Sequence, residues 1–140
     1  MTQALSRPLS SPVKEGDTAM ILQLVAEGVP LEGAVHTLPR HQCTPLTLAV
    51  EVKRIESIRA LLDAGADINN PDPMGRTPLE AAFISGSNRT RPATIEIVRE
   101  LVARGAVVTP RALERARDTY DAMGNRAYPS DLITLLDNSR

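Results

Sequence analysis

His36, His41 and Cys43 are the residues best suited by type to chemistry, because two imidazoles and a thiolate can converge on a zinc ion or a reactive thiol. A fourth ligand is missing, and so is any CxxC or HxxxH spacing. The plainer reading makes the histidines polar residues of a connecting segment and Cys43 a small residue entering a helix. The metal or thiol site at His36, His41 and Cys43 stands only as the alternative from a different functional class. Asp118 and Asp121 form the other carboxylate pair, but Arg111, Arg115 and Arg117 lie among them, as on a solvated helix face. Arg89 and Arg91 offer a secondary contact to an anion or an acidic partner, set against an ordinary exposed loop. No Gly-rich phosphate loop, nucleophile elbow or HExxH occurs. The reading is a protein that is not an enzyme, with no catalytic residue, no metal and no cofactor.

Composition narrows the partners. The chain has 140 residues, 42% of them apolar, which suits a folded domain with its own core. Sixteen Lys and Arg against 17 Asp and Glu leave a net charge of -1, so no long-range field draws nucleic acid or an anionic membrane. With Phe83, Tyr120 and Tyr128 as the only aromatics, the core must be built from Leu, Ile, Val, Ala and Met. A single cysteine rules out an internal disulfide, and no apolar run is long enough for a signal peptide or a membrane span. Cytoplasmic location and a free monomer are the expectations.

The elements that position these residues come from a repeat. Thr44-Pro45-Leu46 returns as Thr77-Pro78-Leu79, with fainter copies at Arg7-Pro8-Leu9 and Thr109-Pro110. Thr as N-cap and Pro at the first helical position mark four helix starts. Downstream of each lie apolar triplets at +3 and +4: Ile21/Leu24/Val25, Ile58/Leu61/Leu62, Val98/Leu101/Val102 and Leu132/Leu135/Leu136. Gly28, Gly65 and Gly105 follow the first three at one offset, where a left-handed residue ends a helix. Each unit therefore reads as helix, turn, helix and an extended connection, and no such pair buries its stripe without a neighbour.

The stretch from Thr44-Pro-Leu-Thr-Leu-Ala-Val through Ile58-Arg-Ala-Leu-Leu-Asp-Ala-Gly-Ala-Asp-Ile-Asn69 to Asp72-Pro-Met-Gly-Arg-Thr-Pro-Leu79 resembles an ankyrin repeat in order and spacing. The resemblance implies an all-α solenoid of helix-turn-helix units with short β-hairpin fingers, forming one domain over residues 1–140. Its units fall at about 7–43, 44–76, 77–108 and 109–140, the outer two degenerate and capping. It also gives Asp67 and Asn69 a structural place in the family's GADxN turn.

Departures from the family pattern carry expectations of their own. The TPLH histidine is replaced by Thr47 and Glu80, and the Gly-His pair between helices by Lys53 and Arg54. The first finger is longer than the second, and the third is nearly absent. Pro12 is expected to interrupt the first helix, which then forms only a turn or so before Gly16. About seven extra residues within 86–94 are expected to form a loop between the helices of the third unit.

The function implied by the resemblance is protein–protein recognition, in which the chain binds or masks a surface of a partner protein through its concave face of fingers and inner helices. Carried over residue by residue, the binding positions are Arg40, His41, Cys43, Glu51 and Val52, then Pro73, Met74, Arg76, Ile84 and Ser85. Val52, Met74 and Ile84 are apolar at places that the fold would leave in water. The partner is another protein, not nucleic acid or membrane. A dedicated neutralising partner, such as a bacterial immunity protein or antitoxin, is the alternative within this class.

Overall fold

The computed structural model describes residues 9–31, 35–38, 41–72, 75–84, 91–119, 123–124 and 127–139; side chains of Ser10, 35–38, 41–43, Ile84 and Arg91 lie outside that description. The chain folds as two compact units, Met1–Pro78 and Leu79–Arg140.

The first unit holds two helix pairs and one hairpin. Its elements are α1 (Ser10–Glu15), α2 (Thr18–Ala26), β1 (Val35–Leu38), β2 (His41–Cys43), α3 (Pro45–Glu51) and α4 (Ile55–Asp63). Thr44 is extended, and its hydroxyl accepts the Thr47 N–H while Pro45 fills the first helical position, so the expected start is realised. Asp17 caps α2 by accepting the Met20 N–H at 3.1 Å. Helix α1 packs on α3 and α2 on α4. Side chains of α4 also close the end of α1. Ser57 Oγ donates to the Val13 carbonyl at 2.7 Å and Arg54 Nε to the Lys14 carbonyl at 2.8 Å, satisfying acceptors that a helix end leaves open.

The second unit repeats the pairing with α5 (Pro78–Ile84), α6 (Arg91–Ala103), α7 (Pro110–Asp118) and α8 (Ser130–Asn138). Thr109 caps α7 by accepting the Ala112 N–H at 3.1 Å. Its own hydroxyl donates to Glu80 Oε2 at 2.5 Å, so the carboxylate standing at the TPLH histidine position holds the start of the next repeat. Helix α6 packs on α8, and α7 on α8.

Several expectations need correction. Pro12 does not interrupt α1. It lies in the first turn of a six-residue helix, where its missing N–H would have had no intrahelical acceptor, and the helix ends at Gly16. The seven extra residues of the third repeat are not all loop. Arg91, Pro92, Ala93 and Thr94 are helical and lengthen α6 to 13 residues, against nine in α4.

The apolar stripe also shifts in detail. Ile21 and Leu24, Ile58 and Leu61, and Val98 and Leu101 are buried, but Val25, Leu62 and Val102 are only half-buried. In α8 the buried set is Leu132, Ile133 and Leu136, matching Ser57, Ile58 and Leu61, so the fourth triplet is one residue out of phase. Leu132-Ile133 and Leu135-Leu136 are both apolar pairs, and spacing alone fits either register. A further departure has no counterpart among the expectations. The fourth pair is joined by residues 119–129, where the second pair needs only 52–54. Tyr128 from this connection is buried and meets Phe83 edge-on, with ring centroids 5.1 Å apart.

Of the fingers, the first is a β-hairpin pairing Val35 with Cys43, His36 with Gln42 and Leu38 with His41. In the second finger, the described residues form turns instead. Asp67 accepts the Asn69 N–H at 3.0 Å, which gives this GADxN aspartate its structural place. The third is short, with only residues 104–109 between α6 and α7.

Both outer repeats replace buried apolar residues with exposed polar ones. Leu46, Ala49 and Val50, like Leu79, Ala82 and Phe83, are buried, but the same positions of α7 are Arg111, Glu114 and Arg115, all exposed. In α1, exposed Ser11 stands where the later repeats bury Leu48, Ala81 and Leu113. Such polar faces are what capping repeats carry.

Candidate protein-binding face

The side chains of Glu51, Val52 and Arg76 can be placed among the ten expected binding residues. Glu51 ends α3 half-buried, and Val52, the C-cap, is 37% exposed. The two are neighbours at the corner where α3 turns into α4. His41, Cys43 and Ile84 are placed in backbone only, in β2 and at the end of α5. Arg40, Pro73, Met74 and Ser85 lie outside the described residues, as does Arg89; Arg91 is the first residue of α6.

Arg76 is held within its own turn. Its backbone N–H donates to Asp72 Oδ1 at 2.9 Å, and its guanidinium meets Asp72 Oδ2 through Nε at 2.8 Å and Nη2 at 2.7 Å. The Asp72 carboxylate is fully buried, and Asp72 N–H donates to the Arg76 carbonyl at 2.9 Å. This arginine braces the second finger from within, and its charge is spent on Asp72.

The alternative zinc or thiol site meets a register that pairs His36 with Gln42 and not with His41 or Cys43. Successive strand residues alternate between faces, so the backbone places His36 one step out of phase with the other two. Their side chains lie outside the described residues. Among the described residues no group of three or more His, Cys, Asp or Glu is placed to hold a metal ion. Asp118 is exposed with Arg111, Arg115 and Arg117 on α7, while Asp121 lies outside the described residues. Arg111, Glu114, Arg115, Asp118 and Thr119 border an open depression of about 430 Å³. The exposed Arg99–Asp131 pair, 2.7 Å apart, holds the Asp131 carboxyl below its usual range through the arginine hydrogen bond.

Lys53 was not singled out as a site by its sequence, although a cation at a glycine position was the available signal. Its backbone is left-handed, φ 61°, and its half-buried amine is lowered from 10.5 to about 8, chiefly by burial and against the pull of Glu51. Other exposed apolar residues also fall outside the expected set: Leu22 on α2, Val107 before α7 and Met123 after it.

Among the described residues, paired helices with Thr-Pro starts at Thr44 and Thr109 and glycine-ended second helices define a helical-repeat protein. Residues 9–112 match the family profile of ankyrin repeats, in three copies, and the chain belongs to that family. It is 42% identical over 69 residues to the Neurogenic locus Notch protein of Drosophila melanogaster, covering 49% of this chain and 2% of that one. It is 56% identical over 39 residues to the human Neurogenic locus notch homolog protein 4, covering 28% and 2%. To Inversin of Gallus gallus it is 33% identical over 86 residues, covering 61% and 8%. The chain thus spans less than a tenth of the length of each of these relatives. Ankyrin repeats are generally protein–protein interaction modules and are typically non-enzymatic. Among the described residues no helix is long and apolar enough to cross a membrane.

Proposed function

We propose that this chain binds another protein and covers a surface of it, using the α3–α4 corner with Glu51 and Val52, with Arg40, His41, Cys43, Pro73, Met74, Arg76, Ile84 and Ser85 as the further contact positions that the ankyrin resemblance implies. The observation that carries this reading is Val52. The same position in the other repeats is Glu15, Ser85 and Arg117, all polar, so the fold does not demand an apolar side chain there. Yet a valine is kept and left 37% exposed. What supports a contact here is that this apolar side chain falls at a position the ankyrin resemblance gives to binding, whereas a single exposed apolar residue elsewhere carries no such reading.

Val52→Arg introduces the residue that the fourth repeat already carries at this place. Its effect on stability should stay within about 0.5 kcal/mol, because Val52 caps α3 through its backbone N–H, which arginine keeps, and its side chain is exposed. Affinity for a partner recovered from native lysate should fall about thirtyfold, equivalent to about 2 kcal/mol for a buried anchor. Glu56→Arg, at an exposed residue in the first turn of α4, serves as the control. Titration calorimetry reads both, and wild-type affinity in Val52→Arg would remove the corner from the binding face.

A further inference from the structure

Helix α7 carries two rows of opposite charge. Arg111 and Arg115 follow one another along one i, i+4 ridge, and Glu114 and Asp118 along the ridge beside it. All four are exposed, three of them at the positions where α3 buries Leu46, Ala49 and Val50. Among the described residues none of the four forms an ion pair, although Arg76, Arg99, Arg104 and Arg117 each meet a carboxylate. An end helix needs only polar residues on its outer face, and α1 meets that need with neutral Ser11. Matched rows of charge are more than such a cap requires.

A face with both signs in equal number has no net field to draw a simply acidic or simply basic partner. What complements it is a second surface with the same two rows, and another copy of α7 is such a surface. We propose that α7 is a contact between two copies of this chain, docked about a twofold axis that crosses the helices and sets the basic row of each against the acidic row of the other. The open depression of about 430 Å³ bordered by these four residues and Thr119 leaves room for the arginine side chains of the other copy.

A twofold contact uses the same patch on both copies and closes at two. The charged cap therefore still bars the open stacking that an apolar end would allow. Exposed ion pairs are individually weak, so the dimer forms at about 0.1–1 mM protein in low salt and is lost as salt screens it. Dilute protein stays monomeric.

The inference is independent of the binding reading, because it uses a different helix and its test needs no other protein. Isotope-labelled protein is followed by nuclear magnetic resonance from about 0.05 to about 1 mM at low ionic strength, about 20 mM salt. Amide shifts should move with concentration along residues 110–119, and the rotational correlation time should rise towards about twice its dilute value. In about 1 M salt, where the screening length falls to about 3 Å, both changes should vanish. Arg115→Glu sets a carboxylate against the acidic row and should weaken association at least about tenfold. Inverting all four charges together, as Arg111→Glu, Glu114→Arg, Arg115→Glu and Asp118→Arg, exchanges the rows and should restore it. Both variants change exposed residues alone, and circular dichroism checks that their helices are kept. Wild-type shifts that do not depend on concentration, shifts centred on other elements, or a folded four-charge inversion that stays monomeric would overturn the proposal.

Discussion

Lys53→Gly should stabilise the protein. The wild-type side chain carries about 1–2 kcal/mol of left-handed strain, which glycine removes. Glycine returns about 0.5–1 kcal/mol through its larger unfolded-state entropy, and the half-buried lysine stem loses its packing. Against that loss, glycine also relieves the desolvation of the ammonium group, the main cause of its lowered pKa. The net gain at neutral pH should be about 0.5–1 kcal/mol, read as a higher urea midpoint at unchanged slope. The sign of its pH dependence follows from the folded amine at about 8 against 10.5 when solvated. Between these values the unfolded chain binds more protons, so wild-type stability rises with pH through that window. Below it the burial penalty is fully present. The advantage of Lys53→Gly should therefore be largest below pH 8 and should narrow towards pH 10.5. A variant less stable than wild type at neutral pH would refute the reasoning, because it would mean that contacts of the lysine outweigh its strain. An advantage that held constant through the window would remove the desolvated amine from the account.

Leu61→Ala, at a fully buried position in α4, should lower unfolding free energy by about 2–5 kcal/mol in urea titrations, and wild-type stability would contradict the burial of this stripe. Thr109→Ala removes both the cap on Ala112 and the hydroxyl that donates to buried Glu80; a loss of about 1–3 kcal/mol should appear in thermal melts, and one below about 0.5 would dismiss the link. Arg111→Leu, Glu114→Ala and Arg115→Val together give α7 the residues of α3 at those positions. The triple variant should keep its helical circular dichroism but self-associate with concentration in sedimentation velocity, and a monomeric variant would make the charged cap incidental.

Much of the fold was legible because an ankyrin repeat states its own punctuation. Thr44 and Thr109 cap the helices that their Thr-Pro pairs announced, and Gly28, Gly65 and Gly105 take positive φ where left-handed helix ends were expected. Errors arose where two registers or two structures satisfy the same pattern. Leu132-Ile133 and Leu135-Leu136 fit either phase of a helix, and only packing selects Ile133 with Leu136. The insertion within 86–94 reads as a loop because extra residues between helices usually do, yet Pro92 in a first turn forfeits no intrahelical bond, and α6 begins at Arg91. The connection at 119–129 carries neither a Thr-Pro pair nor an apolar stripe to mark it, and the partner of its Tyr128, Phe83, lies far away in sequence. The expected binding positions rest on the family resemblance and not on spacing. Arg76, one of the positions carried over, is held to Asp72 within its own turn through a contact that spacing does not reveal.

Comparison of the repeats within this chain separates what the fold requires from what it permits. The corner after the first inner helix reads Lys14, Glu15, Gly16 and Asp17, and the corner after the second reads Glu51, Val52, Lys53 and Arg54. Both turn with a positive φ at the third position, so the backbone requirement is shared. Their side chains diverge completely. Gly16 meets the backbone requirement without strain, and Asp17 caps the next helix by accepting the Met20 N–H. The second corner relinquishes both advantages, since Lys53 is strained and Arg54 makes no side-chain cap. Arg54 reaches instead to the Lys14 carbonyl at 2.8 Å, which joins the second repeat to the end of the first and gives its presence a structural reason. The second corner also sets an exposed valine beside a lysine of positive φ, where the first has Glu15 and Gly16, so a shared backbone turn carries two different surfaces.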